Sequence, residues 1–264
     1  MKPKESNVKN TLALLSAVAF LTLAACGGSS DPAPEKVLVG TATAGGFTVK
    51  LLADKALGTG ANAVYAQVTI TSTGAAVTDL SVTIVPMMNM GDTMHSCPVT
   101  GPMEYDAADG FYMTGVVFQM MGNWTAKVSL ARPGMTTEVA DFSFAVVDAK
   151  SSATFTVGMN RYVLSYNYAN PLVVGLNTVA VGLWATTDMG MTFVPVDDAT
   201  FEMVPWMPSM GHGASGSVQP ALLADGIYQG KVMFSMPGDW DVTVNTFLAG
   251  SSTAAASPKF SIVF

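Results

Sequence analysis

The chain has 264 residues, 50% hydrophobic and only 12% charged, with a formal net charge of −7. The acidic balance excludes a basic nucleic-acid binder, and the high apolar fraction excludes long disordered tails. Twenty-five glycines with so few charges fit an all-β chain rich in turns rather than a helical bundle, and eighteen methionines outnumber the twelve lysines and arginines.

In chain order, the first element reads as a targeting signal. Lys2, Lys4 and Lys9 precede a mostly apolar run over residues 11–25. That run is shorter than the roughly 20 residues a membrane-spanning helix needs. It closes on Leu23-Ala24-Ala25-Cys26, the pattern of a bacterial lipobox. Residues 1–25 are therefore expected to be a lipoprotein signal peptide, with Cys26 lipidated as the mature N-terminus and residues 26–35 a Gly/Ser-rich tether to the membrane. Gly27, in place of an aspartate, favours the outer membrane facing the periplasm in a Gram-negative cell. An ordinary signal peptide with a coincidental cysteine is the other reading. Lipidation of Cys26 leaves Cys97 as the remaining thiol, so no internal disulfide is expected; Cys97 is then buried and inert, a ligand, or an intermolecular pairing partner.

The rest of the chain is a repeat. Asp109-Gly-Phe-Tyr-Met-Thr-Gly-Val-Val-Phe-Gln-Met-Met-Gly-Asn-Trp124 aligns without gaps on Asp225-Gly-Ile-Tyr-Gln-Gly-Lys-Val-Met-Phe-Ser-Met-Pro-Gly-Asp-Trp240, with eight of sixteen positions identical. Upstream, Val85-Pro86-Met87-Met88 matches Val204-Pro205-Trp206-Met207, and Gly60-Ala61-Asn62-Ala63-Val64 matches Gly175-Leu176-Asn177-Thr178-Val179. The period exceeds that of short solenoid repeats, so each copy is read as a domain, 36–149 and 155–264, joined by the polar residues 148–152.

Each copy reads as strands. Residues 64–70 and 82–85 carry alternation and β-branched side chains. Val116, Phe118 and Met120 alternate, and Met121-Gly122-Asn123 is predicted to turn a hairpin into residues 124–130. Phe142, Phe144 and Val146 close the first copy. The second repeats this with Val232, Phe234 and Met236, a turn at Pro237-Gly238-Asp239, residues 240–244, and Phe260, Ile262 and Phe264. No segment after the signal sustains a 3.6-residue period. The expected fold is all-β: two tandem immunoglobulin-like β-sandwich domains.

The candidate chemistry sits in two methionine-rich segments, read as loops. One is Met87-Met88-Asn89-Met90-Gly91-Asp92-Thr93-Met94-His95-Ser96-Cys97; the other is Trp206-Met207-Pro208-Ser209-Met210-Gly211-His212-Gly213. Each follows a Val-Pro and contains the one histidine of its copy. Thioether and imidazole donors select soft metals, above all Cu(I). Methionine also fills irregular core gaps, which is the reading for Met120, Met233 and Met236. Met90, Met94, His95, Met207, Met210 and His212 are the candidate ligands; Cys97 and Met88 fit either role. The second copy is expected to hold the better site, from Met207, Met210 and His212, with the Trp206 ring covering the cation.

Residues 205–213, the Asp225-Gly226-Ile227-Tyr228 strand and Phe234-Ser235-Met236-Pro237-Gly238-Asp239-Trp240 together resemble the YtkA-like and FixH-like domains. The resemblance covers residues 171–248 well and 60–130 more weakly, where Met87-Met88-Asn89-Met90 lacks the second proline and His95 is displaced. It implies an immunoglobulin-like fold, export or membrane attachment, and an association with copper handling or cytochrome oxidase maturation. The expected function is that of an envelope lipoprotein binding or relaying copper, with a copper-protein partner; the alternative is a metal-free structural or interaction module of the envelope. Neither a Walker loop, a Gly-Xaa-Ser-Xaa-Gly elbow nor a dinucleotide fingerprint occurs, and one histidine per domain makes no two-histidine zinc site, so no enzyme is expected.

Overall fold

The computed structural model describes residues 35–169 and 171–264. The signal peptide and Cys26 lie outside these residues. The first domain comprises β1 (Val37–Ala44), β2 (Phe47–Ala53), β3 (Gly60–Ile70), β4 (Ser81–Asn89), β5 (Met94–His95), β6 (Glu104–Asp106), β7 (Phe111–Phe118), β8 (Gly122–Ala131) and β9 (Glu138–Val146). The second comprises β10 (Ser152–Val157), β11 (Asn160–Tyr168), β12 (Gly175–Thr186), β13 (Val194–Pro195), β14 (Thr200–Met207), β15 (His212–Gly213), β16 (Val218–Ala224), β17 (Ile227–Phe234), β18 (Asp239–Phe247) and β19 (Lys259–Val263).

In the first domain the sheet β1-β2-β3-β7-β6 packs on β5-β4-β8-β9; in the second, β10-β11-β12-β17-β16 packs on β15-β14-β18-β19, with β13 beside β12. In immunoglobulin lettering, β2, β3, β7 and β6 are A, B, E and D, while β5, β4, β8 and β9 are C′, C, F and G; the second domain repeats the order. Both domains are therefore immunoglobulin-like sandwiches. Period-two patterning drives this arrangement, because successive side chains on a strand point to opposite faces. Phe201, Met203, Pro205 and Met207 of β14 point inward, while Glu202, Val204 and Trp206 point out. Each domain has its own core, one gathered around Trp124 and Phe118, the other around Trp240 and Phe234.

The repeated residues are structural clasps. Asn62 accepts from Gly58 N at 3.0 Å and donates to Gly58 O and Gly60 O; Asn177 does the same with Val173 and Gly175. The Tyr112 hydroxyl accepts from Leu80 N at 3.0 Å, just before β4. Tyr228 accepts from Ala199 N at 3.1 Å and donates to Val196 O at 2.7 Å, just before β14. Trp124 Nε1 donates to Met120 O and Trp240 Nε1 to Met236 O. Each buried bond of this kind is worth about 1 kcal/mol net, and more is lost when one partner is removed.

One sequence expectation is corrected. Residues 116–130 do not form a hairpin: β7 bonds β3 and β6, whereas β8 lies in the opposite sheet between β4 and β9. Both edges of β7 are already taken, so the chain arches over the core to the facing sheet. Phe118 and Trp124 then meet edge-on, ring centroids 5.0 Å apart. β17 and β18 make the same arch.

The second domain starts with β10 at Ser152, three residues before the expected boundary at 155. Val147 donates to Leu57 O and accepts from Thr59 N, which pins the join to the first domain. Gly60 has φ +98°, and a Cβ there would stand 2.6 Å from Ser151 Cβ, so this close approach requires glycine. Asn167 of β11 bonds both the N–H and the carbonyl of Ala61. Val117, Val163 and Trp184 form a small apolar cluster across the junction.

Candidate functional site

The two methionine-rich segments are β-hairpins rather than loops. β4 continues through Asn89 and pairs with β5, and β14 continues through Met207 and pairs with β15. Met88 lies opposite His95, and Met207 opposite His212. Directly opposed residues share a face, so each histidine stands beside an inward methionine. His212 lies edge-on to buried Trp240, centroids 5.9 Å apart.

Alternation reassigns several expected ligands. Met207 is 2% exposed and belongs to the core, with its Cε at 2.8 Å from where a Gly238 Cβ would be. It is a packing residue, and Met88 repeats the arrangement against Gly122. Trp206 is exposed on the opposite face, opposed to Gly213, so it does not cover an ion held on the His212 side. Cys97 is 3% exposed within the first core, and burial pushes its thiol pKa well up. The thiolate is the ligating form, so this position withdraws Cys97 from the donor set. Met120 and Met236 pack against the cores, as expected.

Met90, Met94 and Met210 are exposed. Met210 sits in a turn closed by Gly211 N donating to Met207 O at 2.9 Å, and Ser209 Oγ bonds Asp239. His212 Nδ1 lies 3.0 Å from Gly213 O, and His95 Nδ1 lies 2.8 Å from Met189 O in the second domain. A carbonyl only accepts, so in both rings Nδ1 is the donor, and in the neutral imidazole Nε2 is then the nitrogen with a free lone pair. A backbone carbonyl on one ring nitrogen is the usual support of a histidine that ligates through the other. Among the described residues, no three His, Cys, Asp or Glu side chains group as a metal cluster.

The YtkA-like family matches residues 41–129 and 192–245, one segment in each domain and together more than half of the chain. The chain belongs to the YtkA-like family. The first YtkA-like segment takes in the β4–β5 hairpin and the second the β14–β15 hairpin. No curated protein matches the chain. Among solved structures it is similar to the D0-D1 domain of intimin, at 14% identity over 80% of this chain and 96% of that one, with a TM-score of 0.25. It is similar to the Escherichia coli adhesin FdeC at 14% identity, over 82% and 64% of the two chains, with a TM-score of 0.25. Invasin, a bacterial integrin-binding protein, gives 15% identity over 83% and 39%, with a TM-score of 0.27. The chain thus spans less than two thirds of the FdeC chain and about two fifths of the invasin chain.

The inward placement of Met207 and the outward placement of Trp206 follow from extending the alternation of Phe201 and Met203 two steps further along β14. The segment Asp188-Met189-Gly190-Met191 was as methionine-rich as the hairpins but carried no histidine to draw attention to it. Nothing in the sequence pairs it with His95.

Proposed function

We propose that the protein binds a soft metal ion, Cu(I) by its donor chemistry, at the methionine–histidine hairpins of its YtkA-like domains, and acts in the cell envelope as a non-catalytic copper binder or carrier. The observation that supports this most is the anchoring of the two imidazoles. Each Nδ1 donates to a backbone carbonyl, which turns Nε2 into the nitrogen available to a metal when the ring is neutral, in hairpins that also carry exposed thioethers. The donors fit the ion: imidazole and thioether suit Cu(I), whereas Mg²⁺ and Ca²⁺ take oxygen ligands. In the second domain His212 and Met210 would hold the ion, while the buried Met207 and Trp240 shape the apolar floor beneath the ring. The family resemblance carries the same implication of copper handling.

The test is Cu(I) titration of the purified protein under reductant, against a chromophoric chelator. The protein should withdraw Cu(I) stoichiometrically, and replacing both histidines, His95→Phe with His212→Phe, should lower affinity at least tenfold. Equal withdrawal by the double variant, or none by the native chain, would leave the metal-free interaction module as the reading.

A further inference from the structure

We propose that the first domain's metal site is shared between the domains, with Met189 and Met191 of the second domain supplying thioethers to an ion held by His95. This rests on the soft-metal reading of the hairpins and adds donors that lie outside both of them.

The two histidines are tied down differently. His212 uses the carbonyl of its own neighbour, Gly213. His95 uses the carbonyl of Met189, 94 positions away in the other domain. The contact is reinforced on the next residue, where Ser96 N donates to Gly190 O at 2.7 Å. Gly190 has φ +86°, and a Cβ there would stand 3.3 Å from His95 Nδ1. The loop backbone therefore lies directly against the imidazole, and the residues on either side of Gly190 are methionines.

That loop is built to hold its shape. The Asp188 carboxylate accepts from Thr186 Oγ1 at 2.7 Å, Met191 N at 3.0 Å, Thr192 N at 2.9 Å and the Thr192 hydroxyl. Met189 sits at φ +61°, a conformation that glycine tolerates far better than a residue with a side chain. The strained backbone delivers its carbonyl to His95 while its side chain stays in solvent.

The two loop thioethers are also open to solvent. Met189 is 73% exposed and Met191 44%, although methionine ordinarily packs inside. Packing therefore does not account for these thioethers. The junction sets His95 against the loop that carries Met189 and Met191, whereas Met94, its neighbour on β5, points to the opposite face. The second domain's own hairpin has His212 and Met210 alone as accessible soft donors, once Met207 is assigned to the core. The donor-rich site is thus at the junction, the reverse of the order expected from sequence.

The two sites are independent by distance. Residues 188–192 precede β14 and His212 follows it, so the eight-residue strand separates them by about 25 Å. Two ions per chain are expected.

The test uses the full chain with the second hairpin disabled by Met210→Leu and His212→Phe. Leucine has nearly the volume of methionine and no sulfur, so Met189→Leu with Met191→Leu keeps the loop's backbone contacts while removing its thioethers. In a Cu(I) competition titration the disabled chain should still hold one ion, and adding the two loop substitutions should weaken it at least tenfold. Ag(I), a redox-inert soft probe, should shift the Met189 and Met191 methyl resonances. Unchanged Cu(I) affinity on loop substitution, or unmoved loop methyls in the Ag(I)-loaded protein, would overturn the shared site. A disabled chain that loads nothing while the native chain loads one ion would overturn it too, leaving the second-domain site intact. Absence of Cu(I) uptake by the native chain would sink both readings.

Discussion

Met207 and Met210 stand three positions apart and belong to different parts of the molecule. Met207 is enclosed by the second core, whereas Met210 projects from the turn. Truncating a buried methionine removes apolar contact and leaves a cavity, at a cost of about 2–5 kcal/mol. Met207→Ala should therefore lower the urea midpoint of the second domain strongly. Met210→Ala should stay within about 0.5 kcal/mol of native, as surface substitutions do. Equal midpoints for the two variants would show that Met207 is not a core residue. The paired measurement also separates loss of metal binding through unfolding from loss through a missing ligand. His95 and His212 follow the same logic, since their carbonyl partners orient the rings and the choice of ring nitrogen is set outside the imidazole.

At the scale of elements, the arches from β7 to β8 and from β17 to β18 replace the hairpins that the turn residues suggested. Alternation puts Phe118 and Trp124 inward whether their strands share a sheet or face each other, so it does not distinguish the two connections. The outcome depends on which strand edges are free, and β3 and β6 occupy those of β7. The tyrosine clasps then tie β7 and β17 across the sandwich to the chain entering β4 and β14. Burial raises the pKa of both Tyr112 and Tyr228 above the ordinary value. An unfolded tyrosine ionises near about pH 10. The folded state holds its proton more tightly, so the contribution is fully present below that pH and is lost as pH rises through the folded values. Stability should therefore fall above about pH 10, and absorbance at 295 nm should rise together with loss of the β signal in circular dichroism. Full tyrosine ionisation with the β spectrum intact would contradict the clasps.

For the whole molecule, the junction is a set of specific contacts between the domains. The join is bonded to the first domain, Asn167 bridges to Ala61, and Val163 and Trp184 are covered at the interface. Residues 152–264 expressed alone should still fold, because the second core draws no residue from the first domain. The fragment should give a β spectrum and unfold cooperatively, at a lower urea concentration than the same domain in the intact chain, since Val163 and Trp184 lose cover. A helical spectrum, or no cooperative transition, would break the tandem-sandwich description. The junction also leaves the two hairpins unlike each other, one against the neighbouring domain and one at the far end of β14.

Much of this was already present along the chain. The repeat determined that there are two similar units, and its shared Asn, Tyr, Trp and Gly positions mark where each unit clasps itself. Period-two alternation determined the strands, and carried to the end of β14 it also assigns Met207 inward and Trp206 outward. These features are local: they depend on residues a few positions apart and on the pleat of a strand. The sheet that each strand joins, the burial of Cys97 and the meeting of His95 with the loop at residues 188–192 depend on contacts between distant residues. Tertiary structure alone decided them, because the partner of His95 is a backbone carbonyl, which carries no signature of its own in the sequence.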